Sequence, residues 1–459
     1  MLIYFGTIAI IAFAMFRRPS IAAGALLCTY GLEQWAQSQN SFFFAHQLLT
    51  NALTAALVCY GIVLRFLSGK NPFAAMTREY WAGAVIYLLA FLSIGWSIDQ
   101  QESWIRFGEY FKTGFIFALL MPLVIYDKDD LKATLYCLLT LGSAICTLLL
   151  VNSDWAGRMI LFKQGATIGA KGMEAGNPLA IATLGGEVAL AAWLMNFKGA
   201  ARFWQVFRYA VIGAGFALTV KASSRGQTFA FGMAALAFLP YSRRFKSFTD
   251  FIGIAITTCL GAVIIIYVFD YITTTESKTY IPTERWEMSG FIKDFKEGRI
   301  NTSIILLKLW AAEGPLRWVF GLGSSASFAT ELKFYCHVVL VEVLAELGIV
   351  GFILLWLTPI YAYQNLKEMW LYVRDDPEER GMIAALGAIL LFEVILSFKQ
   401  GSLLGSATCF GLAAILGRVV HSYRAEAARY EQLDAGGYPI SDKEMQYELD
   451  ESEATPAQA

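Results

Sequence analysis

Long apolar runs, separated by short polar segments rich in Lys and Arg, fill the chain from residue 2 to residue 420. A helix needs about 20 apolar residues to cross a bilayer core, and fewer where neighbouring helices cover its ends. The runs at 2–16, 20–36, 43–65, 81–97, 108–126, 131–151, 176–196, 205–221, 226–241, 250–270, 337–363, 381–397 and 402–420 therefore predict about 13 transmembrane helices. The expected fold class is all-α, a polytopic membrane protein. N-terminal transmembrane helices occupy 1–151, central ones 152–270, a large outer loop 271–336, C-terminal transmembrane helices 337–420 and a tail 421–459. The tail is charged and poor in aliphatics near its end, so it is expected to begin as a short helix and finish disordered.

Basic residues fall in alternate connections: Arg17 and Arg18; Arg65, Lys70 and Arg78; Lys128 and Lys132; Lys198 and Arg202; Arg243, Arg244 and Lys246; Lys367, Arg374 and Arg380; Arg418 and Arg424. Lys and Arg mark the cytoplasmic side of short loops. An odd number of spans then puts the N-terminus outside and the C-terminus inside. Two outer segments interrupt the pattern, one from Asn152 to Gly176 and one from Tyr271 to Cys336. The second is too long for a structureless connector. Within it ERWEMSGFIKDFKEG is amphipathic, and SIILLKLWAAE reads as a helix that ends before Gly314-Pro315.

Composition supports the membrane reading and removes several functions. Charged residues are 16% of the chain, where about 25% is usual for a soluble domain. The net charge of −1 provides no basic field for nucleic acid. The 7 Cys contain no Cys-x-x-Cys pair, so neither a disulfide framework nor a zinc site is visible. The first apolar run ends in Arg17-Arg18, whereas a cleavable signal carries its charges ahead of the run, so this segment is expected to be retained as a span.

Cations on the outer side depart from the orientation rule. They include Arg106, Arg158, Lys163, Lys171, Lys221, Arg225 and Lys399. Each could snorkel from a helix end, but a group of them near the head groups suits a shared anion cavity, because Arg and Lys bind phosphate oxygens. Of the histidines, His421 lies on the cytoplasmic side, and His46 is expected to be a structural hydrogen-bonder. His337 stands where the large loop meets the eleventh span, beside the cationic group, where a neutral imidazole can accept a proton. Glu342 and Glu346, one helical turn apart, share a helix face, and Glu346 is expected to fix packing or pair with an Arg. Gly321 and Gly323 are expected to shape a turn, and Gly348 and Gly351 to permit close helix contact.

Four features carry a family resemblance: Ala175-Gly176-Asn177-Pro178 opening a span; Ser224-Arg225-Gly226 after a span end; Arg299 ahead of the helix with Trp310, then Gly321-Leu322-Gly323; and His337 followed by Glu346, Gly348 and Gly351. In order and spacing they resemble the bacterial O-antigen ligase/polymerase (WaaL/Wzy) superfamily of membrane glycosyltransferases over roughly residues 170–400. Val338 stands where that family often has Asn. The resemblance implies a multi-pass protein of the bacterial inner membrane, with its N-terminus and large loop periplasmic and its C-terminus cytoplasmic. It implies transfer, without metal or cofactor, of a glycan from undecaprenyl pyrophosphate to a glycan or lipid acceptor, with inversion. Arg225 and Arg299 would hold the pyrophosphate, His337 would orient or deprotonate the acceptor hydroxyl, and Lys221, Lys399, Arg106 and Lys171 would line the substrate cavity. Polymerase and ligase differ only in the acceptor and remain open, with a slight lean to polymerisation. A flippase of lipid-linked sugars is the alternative, although its cations should line the full membrane depth rather than gather at the outer end. A scaffold leaves the outer cations without a role.

Overall fold

The computed structural model describes residues 2–46, 48–74, 76–152, 177–197, 202–222, 224–243, 300–329, 336–400 and 402–434, together with isolated positions between 249 and 256. Lys171, Arg299, the side chain of Arg225, nearly all of the run 250–270, the segment 153–176, most of the loop 271–336 and the tail beyond 434 lie outside the described residues. Within them the protein is all-helical, 86% helix with no strand, and 8 helices are long and apolar enough to cross a membrane.

The chain runs through α1 (Leu2–Met15), α2 (Ile21–Leu27), α3 (Thr29–Gln39), α4 (Ser41–Ala45), α5 (Leu48–Leu67), α6 (Arg78–Ser93), α7 (Gln100–Gly114), α8 (Lys128–Val151), α9 (Pro178–Leu194), α10 (Arg202–Lys221) and α11 (Arg225–Ser242). After the undescribed stretch come α12 (Asn301–Ala312), α13 (Pro315–Phe320), α14 (Ala326–Ala329), α15 (Val339–Val373), α16 (Pro377–Gln400) and α17 (Ala407–Asp434). Helices thus stand at every expected run that the described residues cover, but several are shaped differently. The run 20–36 divides at Cys28, the helix before Val124 begins as early as Gln100, and α15 extends to Val373.

Caps set the starts of three helices. Asp99 Oδ1 accepts the Glu102 N–H at 2.9 Å, Asp127 Oδ1 the Asp130 N–H at 2.9 Å, and Asn177 Oδ1 the Leu179 N–H at 3.1 Å. Pro178 supplies the first residue of α9, where its missing N–H costs nothing. Apart from Thr183 and the buried Glu187, α9 is apolar all round and mostly buried, as expected for the central helix of a bundle. It packs on α8, α10, α11 and α16. A methyl group on Gly185 would lie 2.5 Å from the Gly215 carbonyl oxygen, so paired glycines set the close α9–α10 crossing. Phe13, Leu67, Val206, Phe229 and Leu371 face outward, on the surface that lipid would cover.

The connections rich in basic residues meet at one end of the bundle. Arg18 pairs with Asp129 at 3.3 Å, Lys70 with Asp127 at 3.1 Å, Lys128 with Glu379 at 3.0 Å, Lys132 with Glu378 at 2.5 Å and Arg424 with Glu368 at 2.6 Å. At this end the helix begun at Gln100 loses regular winding, passing through a π segment (Phe115–Leu120) and a 3-10 turn (Met121–Val124). Carbonyls freed by such a break must find donors, because lipid offers none. Arg65 donates to the Val124 carbonyl from Nε at 3.1 Å and Nη2 at 2.9 Å, and Arg418 donates to the carbonyls of Ile125 at 2.7 Å and Pro72 at 2.9 Å. Both guanidinium groups are buried, and Asp130 forms an ion pair with Arg65 while accepting from the Ser20 hydroxyl and the Tyr126 N–H.

Replacing Asp130 with Ala strands the Arg65 charge in a buried position. The expected loss is about 3–5 kcal/mol of stability, seen as a lowered thermal midpoint of the protein in detergent. An unchanged midpoint would mean that the Arg65–Asp130 pair does not hold this end together.

Candidate functional site

The opposite end is built around a second break. Gly348 adopts φ 68 and ψ −166 and interrupts α15 between its first turns and its long remainder. The carbonyls of Ala345 and Glu346 accept N–H bonds from Leu322 and Gly323, each at 2.9 Å. Such close backbone approach requires residues without side chains. Gly321 and Gly323 have φ 78 and 98; a methyl group on Gly321 would lie 2.2 Å from the Glu346 carbonyl oxygen, and one on Gly348 would lie 2.2 Å from that of Val319. The expected turn at Gly321-Leu322-Gly323 is thus present. Gly348 makes the expected close contact, against Val319 of α13, and in addition interrupts its own helix.

Glu346 closes the arrangement. Its carboxylate accepts the Ser325 N–H at 2.6 Å, the Ser327 N–H at 3.0 Å and the Ser327 hydroxyl at 2.8 Å, holding Ser325 at φ 59. The same loop is tied to the α6–α7 junction. Ser324 N–H donates to Ser93 Oγ at 2.9 Å, Ser103 Oγ donates to the Ser324 carbonyl at 2.6 Å, and Ser97 and Ser103 hydroxyls are 2.6 Å apart. The expectation that Glu346 serves packing is met through backbone N–H groups and a serine.

His337 is half-buried immediately ahead of α15, and its φ of 63 is unusual for a residue with a side chain. Strain of this kind is held in place only by surrounding structure and is frequent at functional positions. Thr302 and Ser303 of α12 bond the Cys336 carbonyl at 3.5 Å and its thiol at 3.3 Å. Burial pushes the Cys336 thiol up, only partly offset by the Ser303 bond, so it stays a thiol at neutral pH and is a poor nucleophile beside the imidazole. His46 bonds Phe42 O at 2.9 Å and stacks on that ring, in keeping with a structural role.

A cationic patch adjoins this loop at the same end. Lys221 is buried at the end of α10, and Ser224 opens α11 with its hydroxyl on Gln227 Oε1. The Lys399 ammonium donates to the same Gln227 oxygen at 3.0 Å, and its stem lies across Gly226, so a side chain there would push the lysine aside. Gln227 Nε2 in turn donates to the Leu179 carbonyl at 3.3 Å, and the Asn177 N–H donates to Gln34 Oε1 at 3.1 Å. The Asn177-Pro178 and Ser224-Arg225-Gly226 elements, 46 positions apart between Pro178 and Ser224, are therefore joined through Gln227. Lys399 touches this patch, and four positions on the Leu403 N–H donates to Glu342 Oε1 at 2.9 Å, which links it to the glycine loop.

Arg106 lies on the loop side, with its guanidinium on the Phe328 ring at 4.6 Å and ion-paired to Glu102 at 2.7 Å and Glu109 at 2.9 Å. Its charge is matched by two carboxylates, unlike that of a dedicated anion ligand. Among the described residues no group of three His, Cys, Asp or Glu side chains converges as a metal site. Gln227 and Glu342 were not singled out from the sequence as site residues. Ser224-x-x-Gln227 has the spacing of a helix-start box and could have flagged the first.

Gly348→Ala should lower the thermal midpoint and open the 314–329 segment to protease, with backbone strain alone worth about 1–3 kcal/mol. Gly232→Ala, where nothing lies within 4 Å of the added methyl, is the control and should leave both unchanged. Equal behaviour of the two variants would show that the glycine contact is dispensable.

Compared with known proteins, the chain matches no family model and no curated protein.

Proposed function

We propose that this protein is a glycosyltransferase of the O-antigen ligase/polymerase kind, acting at the periplasmic face of a bacterial inner membrane on glycans carried by undecaprenyl pyrophosphate. The observation that supports this reading is that, at the end opposite the basic connections, Gln227 joins the Asn177-Pro178 element to Ser224 and Lys399, while α15, which carries the Gly321–Gly323 contacts, is bonded through Glu342 to Leu403, four positions beyond Lys399. These are the elements on which the resemblance rests, and they are drawn from widely separated parts of the chain. In this reading the chain spans the membrane about 13 times, N-terminus periplasmic and C-terminus cytoplasmic, with the run 250–270 as one of the spans.

The chemistry follows from the charges. Lys221, Lys399, Arg225 and Arg299 hold the lipid pyrophosphate, with Lys171 and Arg106 at the margin of the cavity. The acceptor, a glycan or lipid hydroxyl, attacks the anomeric carbon as its proton passes to the His337 imidazole. The bond from that carbon to the pyrophosphate oxygen breaks on the opposite face, which inverts the centre. The leaving group departs as an anion stabilised by the cations, so it needs no acid and no metal.

Purified protein in detergent, given a lipid-pyrophosphate-linked glycan from its own cell, should release undecaprenyl pyrophosphate with lengthened or transferred glycan. His337→Ala should slow this by about 100–10,000-fold without loss of folding. Lys399→Ala should raise KM for the donor. Wild-type protein that consumes no donor but moves it across vesicle bilayers would replace this reading with a flippase.

A further inference from the structure

At the end where the basic connections meet, Arg18, Lys70, Lys128, Lys132 and Arg424 each have a carboxylate partner. Two further arginines at this end differ. Arg208 lies in the second turn of α10, and Arg243 directly follows α11. The Ser242 hydroxyl fixes that end of α11 on the Leu194 carbonyl at 2.5 Å, and Gly381, near the start of α16, packs against Leu194 and Asn196. Among the described residues neither arginine has a carboxylate partner. Arg208 instead donates from Nη2 to the Tyr209 hydroxyl at 2.8 Å, with its guanidinium 4.7 Å from the centroid of that ring. Its Nε is buried without a hydrogen-bond partner. A buried donor left in this state is costly, so native structures rarely keep one without a purpose.

The two arginines also act on each other. Burial, and after it the Arg208 charge, push the pKa of the Arg243 guanidinium down. Arginine nevertheless stays charged at neutral pH, so two such groups held together repel unless an anion lies between them. The surroundings narrow the choice of anion. α10 leaves Phe203, Val206 and Tyr209 exposed, and Tyr241 is exposed near the end of α11, so the arginines border the surface that lipid would cover. Aromatic rings in such places sit at the level of lipid head groups. A phosphodiester offers its charge on two oxygens, one for each guanidinium. The Tyr209 hydroxyl accepts from Arg208, which leaves its own O–H able to donate to the same group. The acyl chains of the lipid can then follow the apolar face of α10.

We propose that Arg208, Arg243 and Tyr209 bind the phosphate of an anionic phospholipid, at the end of the bundle opposite the candidate functional site. A soluble phosphate has the same oxygens but no chains to cover Phe203 and Val206. The acidic tail, which includes Asp442, Glu444, Glu448, Asp450, Glu451 and Glu453, brings carboxylates in place of phosphate. The lipid site is independent of the transfer chemistry.

The test is the thermal midpoint of the full chain in a non-ionic detergent, titrated with phosphatidylglycerol, phosphatidylcholine or inorganic phosphate. A ligand that binds the folded state raises the midpoint in a saturable way. Phosphatidylglycerol should do so in the wild type, and phosphatidylcholine, whose choline offsets the phosphate charge, should do so far less. Arg208→Gln and Arg243→Gln should each weaken the apparent affinity by about tenfold or more, the effect of losing a hydrogen bond between charged groups. Arg202→Gln, exposed at the start of α10, is the control and should change it far less. Without lipid, the Arg208 and Arg243 variants should melt no lower than the wild type, because the repulsion is gone. No response to phosphatidylglycerol, or an equal response in wild type and both variants, overturns the site. A loss of midpoint without lipid, joined to an unchanged response to lipid, makes the arginines structural and overturns it too. An equal rise with inorganic phosphate assigns the pair to a soluble anion instead. If deleting residues 435–459 lowers the midpoint of the wild type but not of the two variants, the tail is the occupant and the lipid proposal falls.

Discussion

Backbone polar groups released within a membrane bundle must be satisfied by protein, and the two ends of this molecule are organised around the two places where that demand is greatest. In a regular helix each carbonyl is bonded internally; a break sets several free in surroundings that contain no water. At the basic end, where the irregular Phe115–Val124 segment ends, Arg65 puts two bonds on the Val124 carbonyl, and Arg418 satisfies the next carbonyl, Ile125, and that of Pro72. At the other end the break at Gly348 frees carbonyls that the Leu322 and Gly323 N–H groups satisfy. One end uses charged side chains and the other uses glycine-enabled backbone contact. That difference leaves the second end with side chains available for a ligand.

The same division orders charge across the candidate site. Lys399 and Lys221 gather near Ser224 and Gln227, while Glu342 and Glu346 gather beneath the glycine loop. Glu346 is engaged by three donors, and Glu342 accepts the Leu403 N–H through Oε1, so both carboxyls serve the architecture of this end. The strained His337 stands at the start of the helix that carries both carboxyls.

Much of the helical architecture was legible in the sequence because lipid demands apolar runs of nearly fixed length, and helices stand at all the expected runs that are described. Breaks were not legible. Gly348 within an apolar run does not reveal that it interrupts its helix as well as meeting a neighbour; only the partner residues 319–323 show that. Arg65 and Arg418 entered the sequence reading as two more loop cations, and counting cations could not show that these two are buried backbone clamps. In the site, His337, Lys399 and the Ser224-Arg225-Gly226 element could be picked out by residue type. The link through Gln227 could not, because its partner carbonyl at Leu179 belongs to another helix. Arg106 was legible as an outer cation, while its pairing with Glu102 and Glu109 depends on helix register and rotamers.

The central claim is that the glycine loop and the cationic patch share one membrane face, opposite the basic connections. Its most direct measurement is labelling of single cysteines in intact cells by a membrane-impermeant maleimide, in a background with the native cysteines replaced. Leu316→Cys and Gln100→Cys, both exposed at the site end, should label in intact cells. Gly69→Cys and Asp375→Cys, exposed at the basic end, should label only after permeabilisation. Labelling of Leu316→Cys and Gly69→Cys from the same side, or of Gly69→Cys and Asp375→Cys alone in intact cells, would contradict the claim.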